Sequence, residues 1–132
     1  MEHKNVLELC AVAAGMTGVE WNDWDGMEVR YGYPFSIWSN ETGHFNSIYD
    51  SGHALWLAAK LGLSILPYPV YNEAGRHSVI VKQRRHSDTL RVTNPTETMA
   101  LYDGDPLAAT RLAITLCAAK IGQEILDNEQ KN

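Results

Sequence analysis

The segment from Asp103 to Ile125 limits what this chain can fold into more than any other. Asp105 offers a capping oxygen, and Pro106 suits the first helical position, where its missing N–H costs nothing. Leu107, Ile114, Ala118, Ile121 and Ile125 recur at helical spacing, and Ala108, Leu112 and Ala119 widen the apolar stripe. The small residues Ala108, Ala109, Ala113, Ala118 and Ala119 let a sheet approach closely. The segment predicts a long helix on a core, and it carries no chemistry of its own.

Two further helices read clearly. Asn5 to Gly15 has a stripe of Val6, Leu9, Cys10 and Ala13, with Gly15 and Gly18 as stop signals. Ser51 to Leu61 has capping oxygens at Asp50 and Ser51 and an inward stripe of Ala54, Leu57, Ala58 and Leu61. Gly62 is placed for a left-handed C-terminal residue, with Leu63 folding back. Between the first two helices, Glu28 to Arg30 and Phe35 to Trp38 read as short strands and Ser39 to Asn46 as a polar surface loop. After Gly62 the period changes. Ile65 to Tyr71 is extended, and Pro67 and Pro69 confine it to a sheet edge. Ser78 to Gln83 is apolar on both sides at Val79, Ile80 and Val81, which calls for cover on both faces. Leu90 to Thr93 reads as a third strand of an antiparallel meander, with Asn94 to Gly104 a connector.

These elements predict an α+β domain over residues 1–126, a three-layer α-β-α sandwich whose small, mainly antiparallel sheet is packed by helices. Residues 127–132 read as a flexible tail. A chain of 132 residues with 45% hydrophobic and 20% charged residues has the makings of one core and a wet surface. Its net charge of −5 argues against duplex nucleic acid, which demands a clustered positive footprint. With no apolar run of membrane length and no signal segment, the expectation is a cytoplasmic protein off the membrane. Cys10 and Cys117 lie in predicted helices without metal spacing, and read as small buried hydrophobes in a reducing compartment.

The run Ala54 to Ile65 resembles a signature of small phage and prophage proteins, the phage α-β-α sandwich family, and so does Asp105 to Ile114. The strand Phe35 to Trp38 and the strands between the two helices belong to the same resemblance, which covers Val6 to Ile125. Its motifs are apolar packing positions, specific for fold and silent on chemistry. The resemblance implies a phage or prophage origin, a bacterial cytoplasm and the sandwich fold. It brings no catalytic residue or cofactor.

Candidate chemistry is sparse. Asp23-Trp24-Asp25-Gly26 resembles part of a calcium loop, yet the twelfth position from Asp23 is Pro34 where a Glu is required, so an acidic turn is the better reading. No metal site and no cofactor are expected: His3, His44, His53, His77 and His86 make no i, i+4 pair. His44 and His53 straddle a loop and a helix start near Asp50, where convergence would build an acid–base or metal site. Asp50, Ser51 and His53 include triad residue types, but adjacency is not triad geometry. With no nucleophile elbow, phosphate loop or dinucleotide fingerprint, the chain does not read as an enzyme.

Two surfaces remain. Residues 76–91 hold five basic side chains against Asp88, a net +4 that leaves −9 on the remainder. Lys82, Arg84, Arg85 and Arg91, with Tyr71 as a stacking face, form a candidate site for a small anionic ligand or nucleotide that such a protein would sequester. The alternative is a solvated turn paired with nearby carboxylates. Trp21 and Trp24, in a polar connector, and Trp56, pointing off its helical stripe, are candidate contacts for a host or phage protein or for a second copy in a homodimer. The leading expectation is a non-enzymatic binding protein acting by that protein contact.

Overall fold

The computed structural model of the chain describes residues 2–24, 33–68, 77–83, 97–102 and 105–130. Among them the order is α1 (His3–Ala14), β1 (Glu20–Asp23), β2 (Phe35–Ser39), β3 (Gly43–Phe45), α2 (Ser51–Leu61), β4 (Leu63–Tyr68), β5 (His77–Gln83), β6 (Glu97–Tyr102) and α3 (Pro106–Gln130). The α+β class holds, with helices packing small antiparallel sheets. The strands divide into two sheets rather than one, ordered β1-β2-β3 and β4-β5-β6.

The helix ends obey local chemistry. Asp50 accepts the His53 backbone N–H at 2.9 Å, and Gly62 closes α2 at φ +66°. Asp105 accepts the Ala108 N–H at 3.0 Å and opens α3. Gly15 closes α1 at φ +70°, as its position predicts. At the far end α3 continues through Gln130, so residues 127–130 are helical where the sequence suggested a tail.

The core joins Val6, Leu7, Cys10, Ile37, Phe45, Leu57, Val79 and Val81 to the small-residue faces of α3. α3 is the hub: α1 and α2 pack along it, and β5 and β6 lie against it. Its buried positions are Ala109, Ala113, Ile114, Thr115, Cys117, Ala118, Ala119, Ile121 and Gly122. Leu107 and Leu112, counted in the stripe by spacing, are 62% and 39% exposed. Small side chains let neighbours approach closely, so the buried arc follows the alanines instead of the bulkiest residues. The closest approach is at Gly122, where an added Cβ would stand 2.8 Å from the Leu9 carbonyl carbon of α1 and closer still to its oxygen.

In the second sheet, Val79 and Val81 are buried and Ile80 is half-buried, as the doubly apolar pattern requires. β4 is an edge strand, consistent with Pro67, which stands opposite Val79. The third strand is Glu97–Tyr102, within a stretch that reads as a connector in sequence. Its ladder to β5, from His77↔Tyr102 to Lys82↔Glu97, supplies hydrogen bonds that no local pattern announces. The strands anticipated at Glu28–Arg30 and Leu90–Thr93 lie outside the described residues. Two strands also replace expected connectors in the first sheet: β1 holds Trp21, and β3 occupies part of the supposed loop at residues 39–46. Among the described residues no helix is long and apolar enough to cross a membrane.

Candidate functional site

A pocket of about 330 Å³ opens between the β2–β3 turn and the first turns of α2, lined by Glu41, Thr42, Phe45, Gly52, His53 and Trp56. The turn is built by local rules. Ser39 pairs with Gly43, leaving three residues in the loop, and Gly43 takes φ +69°, the left-handed position such hairpins need. The buried Ser39 hydroxyl accepts the Thr42 N–H at 3.1 Å. Outside the turn, Glu41 reaches Thr17 with both oxygens, accepting its N–H at 2.8 Å and its hydroxyl at 2.6 Å. Asn40 ties the same two segments together, donating its backbone N–H to the Thr17 carbonyl at 2.9 Å and its amide to the Thr17 hydroxyl at 3.1 Å. The Thr17 hydroxyl, then its backbone N–H, hold the Glu41 carboxyl below the usual carboxylate range, with a smaller pull from Lys60.

The opposite wall is aromatic. The rings of Phe45 and His53 stack at 5.0 Å with 18° between planes, and Trp56 meets Phe45 edge-on at 5.8 Å. Phe45 is fully buried and anchors both neighbours. The Asn46 backbone N–H donates to His53 Nδ1 at 2.9 Å, and a ring whose Nδ1 accepts carries its proton on Nε2. Neither that Nε2–H nor the Trp56 indole N–H has a partner among the described residues, and no described side-chain nitrogen is both buried and unpaired. Both N–H groups are therefore solvent-facing donors on pocket-lining residues.

Asn46 locks this wall in place. Its side-chain oxygen accepts the Ile48 and Tyr49 N–H groups at 2.9 and 3.2 Å, its amide donates to the Phe35 carbonyl at 2.8 Å, and its carbonyl accepts the Asp50 N–H. A single buried side chain thereby fixes the exit of β3 and the entry of α2.

The anticipated sites are redistributed. His44 and His53 do not converge, because neighbouring residues on a strand point to opposite faces and Phe45 lies on the His53 side. His44 shares a 3.0 Å hydrogen bond with Ser36 and packs near Trp24, ring centroids 5.6 Å apart. Ser36 is fully buried, so this pair offers no substrate a nucleophile. Asp50 caps α2 and Ser51 accepts from Arg111 at 3.0 Å, so the two do not form a triad with the His53 ring. No group of three metal-ligating side chains occurs among the described residues.

The three contact tryptophans are also separated. Trp21 stacks on Phe35 at 5.4 Å and packs against the core, while Trp24 lies near Tyr33 and His44, with ring centroids 6.3 and 5.6 Å away. Trp56 alone lines the pocket. Of the anion cluster, Arg84, Arg85, Arg91 and Tyr71 lie outside the described residues. Lys82 is half-buried on β5 and stands in register with Glu97, a carboxylate residue directly across the ladder. A second cavity, of about 350 Å³, runs between α1 and α3 along Asn5, Glu8, Leu9, Val12, Gln123 and Leu126. Its Gln123 amide donates to the Asp127 carboxylate at 3.0 Å.

No protein-family model, curated protein or solved structure matches the chain. Sequence reasoning named His53 and Trp56 but missed Glu41, Thr42, Phe45 and Gly52. The Glu41 role depends on Thr17, 24 positions away, and no local signal carries that pairing.

Proposed function

We propose that this chain is a small non-enzymatic binding protein of phage or prophage origin that works in the bacterial cytoplasm by contact with a host or phage protein. One observation carries the reading: a fixed aromatic wall, an ionised carboxylate and two unpaired N–H donors belong to a single opening at Glu41, His53 and Trp56. Such a set recognises a ligand, and it lacks an accessible nucleophile paired with a base. The origin rests on the resemblance of Ala54–Ile65 and Asp105–Ile114 to the phage sandwich proteins. The contact surface contracts from the three tryptophans to Trp56 and its pocket, because Trp21 is engaged in core packing.

Immobilised wild-type protein is expected to recover a specific protein from bacterial lysate. Glu41→Gln, whose amide still meets Thr17, is expected to lose most of that recovery while remaining folded at the temperature of the assay. Equal recovery by both baits, or none by folded wild type, overturns the proposal.

A further inference from the structure

We infer that the Glu41–Trp56 pocket takes the guanidinium side chain of an arginine presented by a basic segment of the partner. The inference rests on the binding reading above and names the chemistry of that same site. Glu41 is the only carboxylate, and no Lys or Arg occurs, among the described residues of the pocket lining, and its two oxygens are held in place by Thr17. Each oxygen keeps a second lone pair, so the carboxylate still offers two parallel acceptors, which the guanidinium fork matches. Because Thr17 fixes the carboxylate beforehand, less side-chain freedom is lost when a ligand binds.

The aromatic wall suits the same group. A planar, weakly hydrated guanidinium stacks on an indole face, with a gain that rises as water is excluded. Trp56 is held edge-on against the buried Phe45 and keeps that face in position. The Nε2–H of His53 and the indole N–H of Trp56 then serve the carbonyl oxygens of the peptide that carries the arginine. Gly52, without a side chain on the rim, lets a backbone come near. A volume of about 330 Å³ sits at the low end of small-molecule sites (roughly 300–1,000 Å³), in keeping with one side chain instead of a whole metabolite. Long-range charge agrees: the chain carries −5 overall, which steers a basic segment toward it.

A neutral heterocycle would also stack here, but it would leave the ionised Glu41 without a counter-charge. An anion would meet repulsion from the same carboxylate.

The test titrates the full chain, labelled with ¹⁵N, with the blocked tripeptide Ac-Gly-Arg-Gly-NH2, its glutamate counterpart and guanosine. The signals followed are the Trp56 indole N–H, assigned through Trp56→Phe, and the Gly52 and His53 amides. The arginine peptide is expected to shift these saturably in the millimolar range. Glu41→Gln should weaken it by about threefold, the scale of a solvent-exposed ion pair. Undisturbed amide signals from α1 certify that each variant is folded. The inference is overturned by absent shifts at these three signals, by guanosine or the glutamate peptide moving them instead, or by Glu41→Gln binding as wild type. Lysate capture without a peptide response retains the protein-contact reading and removes this one; a peptide response without lysate capture retains a guanidinium site at the pocket and removes the protein partner.

Discussion

Replacing Gly122 by alanine sets two effects of opposite sign against each other. Alanine favours a helix interior over glycine by about 1 kcal/mol, so propensity alone predicts a more stable protein. The new methyl, however, would stand 2.8 Å from the Leu9 carbonyl carbon, with the carbonyl oxygen nearer still. Ordinary carbon–carbon contact is about 3.5–4.0 Å, so α1 and α3 must part by more than about half an ångström. A gap of that size forfeits roughly a quarter to a half of each contact along the seam, which includes Val6, Leu9 and Cys10. Overpacking typically costs about 1–3 kcal/mol, and the upper end applies because the obstacle is backbone. Net destabilisation of about 2 kcal/mol follows, or a fall in Tm of roughly 6–10 °C for a chain of this length. Urea and thermal melts of wild type and Gly122→Ala measure it. Gly52→Ala is the control, since its Cβ meets only the Asp50 carboxylate oxygen at 3.2 Å. Trimming the Leu9 side chain should not rescue Gly122→Ala, because the side chain is not what clashes. A Gly122→Ala protein as stable as wild type, or more so, refutes the close crossing.

Asn46→Ala should cost about 2–4 kcal/mol in urea unfolding, since it strips partners from the Ile48 and Tyr49 N–H groups and the Phe35 carbonyl; a loss under about 0.5 kcal/mol would contradict its role as the lock between β3 and α2. The Glu41 carboxyl has its folded pKa below the unfolded value, so its contribution is present above the unfolded pKa of about 4.3 and disappears as pH falls through the folded one. The Tm difference between wild type and Glu41→Gln should therefore shrink on acidification, and a difference that grows would reverse the sign of the argument. Cys10 and Cys117 are fully buried, and burial, followed by the neighbouring Cys117, raises the Cys10 thiol pKa well above its ordinary value. A thiol reagent at pH 8 should leave both unmodified in the native protein and label both in urea; rapid native labelling would contradict the buried α1–α3 seam.

The three helices were readable from the chain because what makes them is local. Asp50, Gly62, Asp105, Pro106 and Gly15 act on backbone groups within four residues of themselves, and apolar spacing tells which residues share a helical face. The α+β class, the buried Val79–Val81 pair and the edge position of β4 follow from equally short-range patterns.

What the tertiary structure alone decided depends on pairings between distant segments. Glu97–Tyr102 becomes a strand because β5 is beside it, and β3 forms inside a polar stretch because β2 supplies its ladder. Leu107 and Leu112 fall outside the buried arc because the neighbours of α3 settle on its alanines and Gly122, a choice made by the closeness they permit. The pocket is the strongest case. Thr17 orients Glu41 and the Asn46 backbone orients His53, and hydrogen bonds from one segment to another leave no trace in the spacing of either.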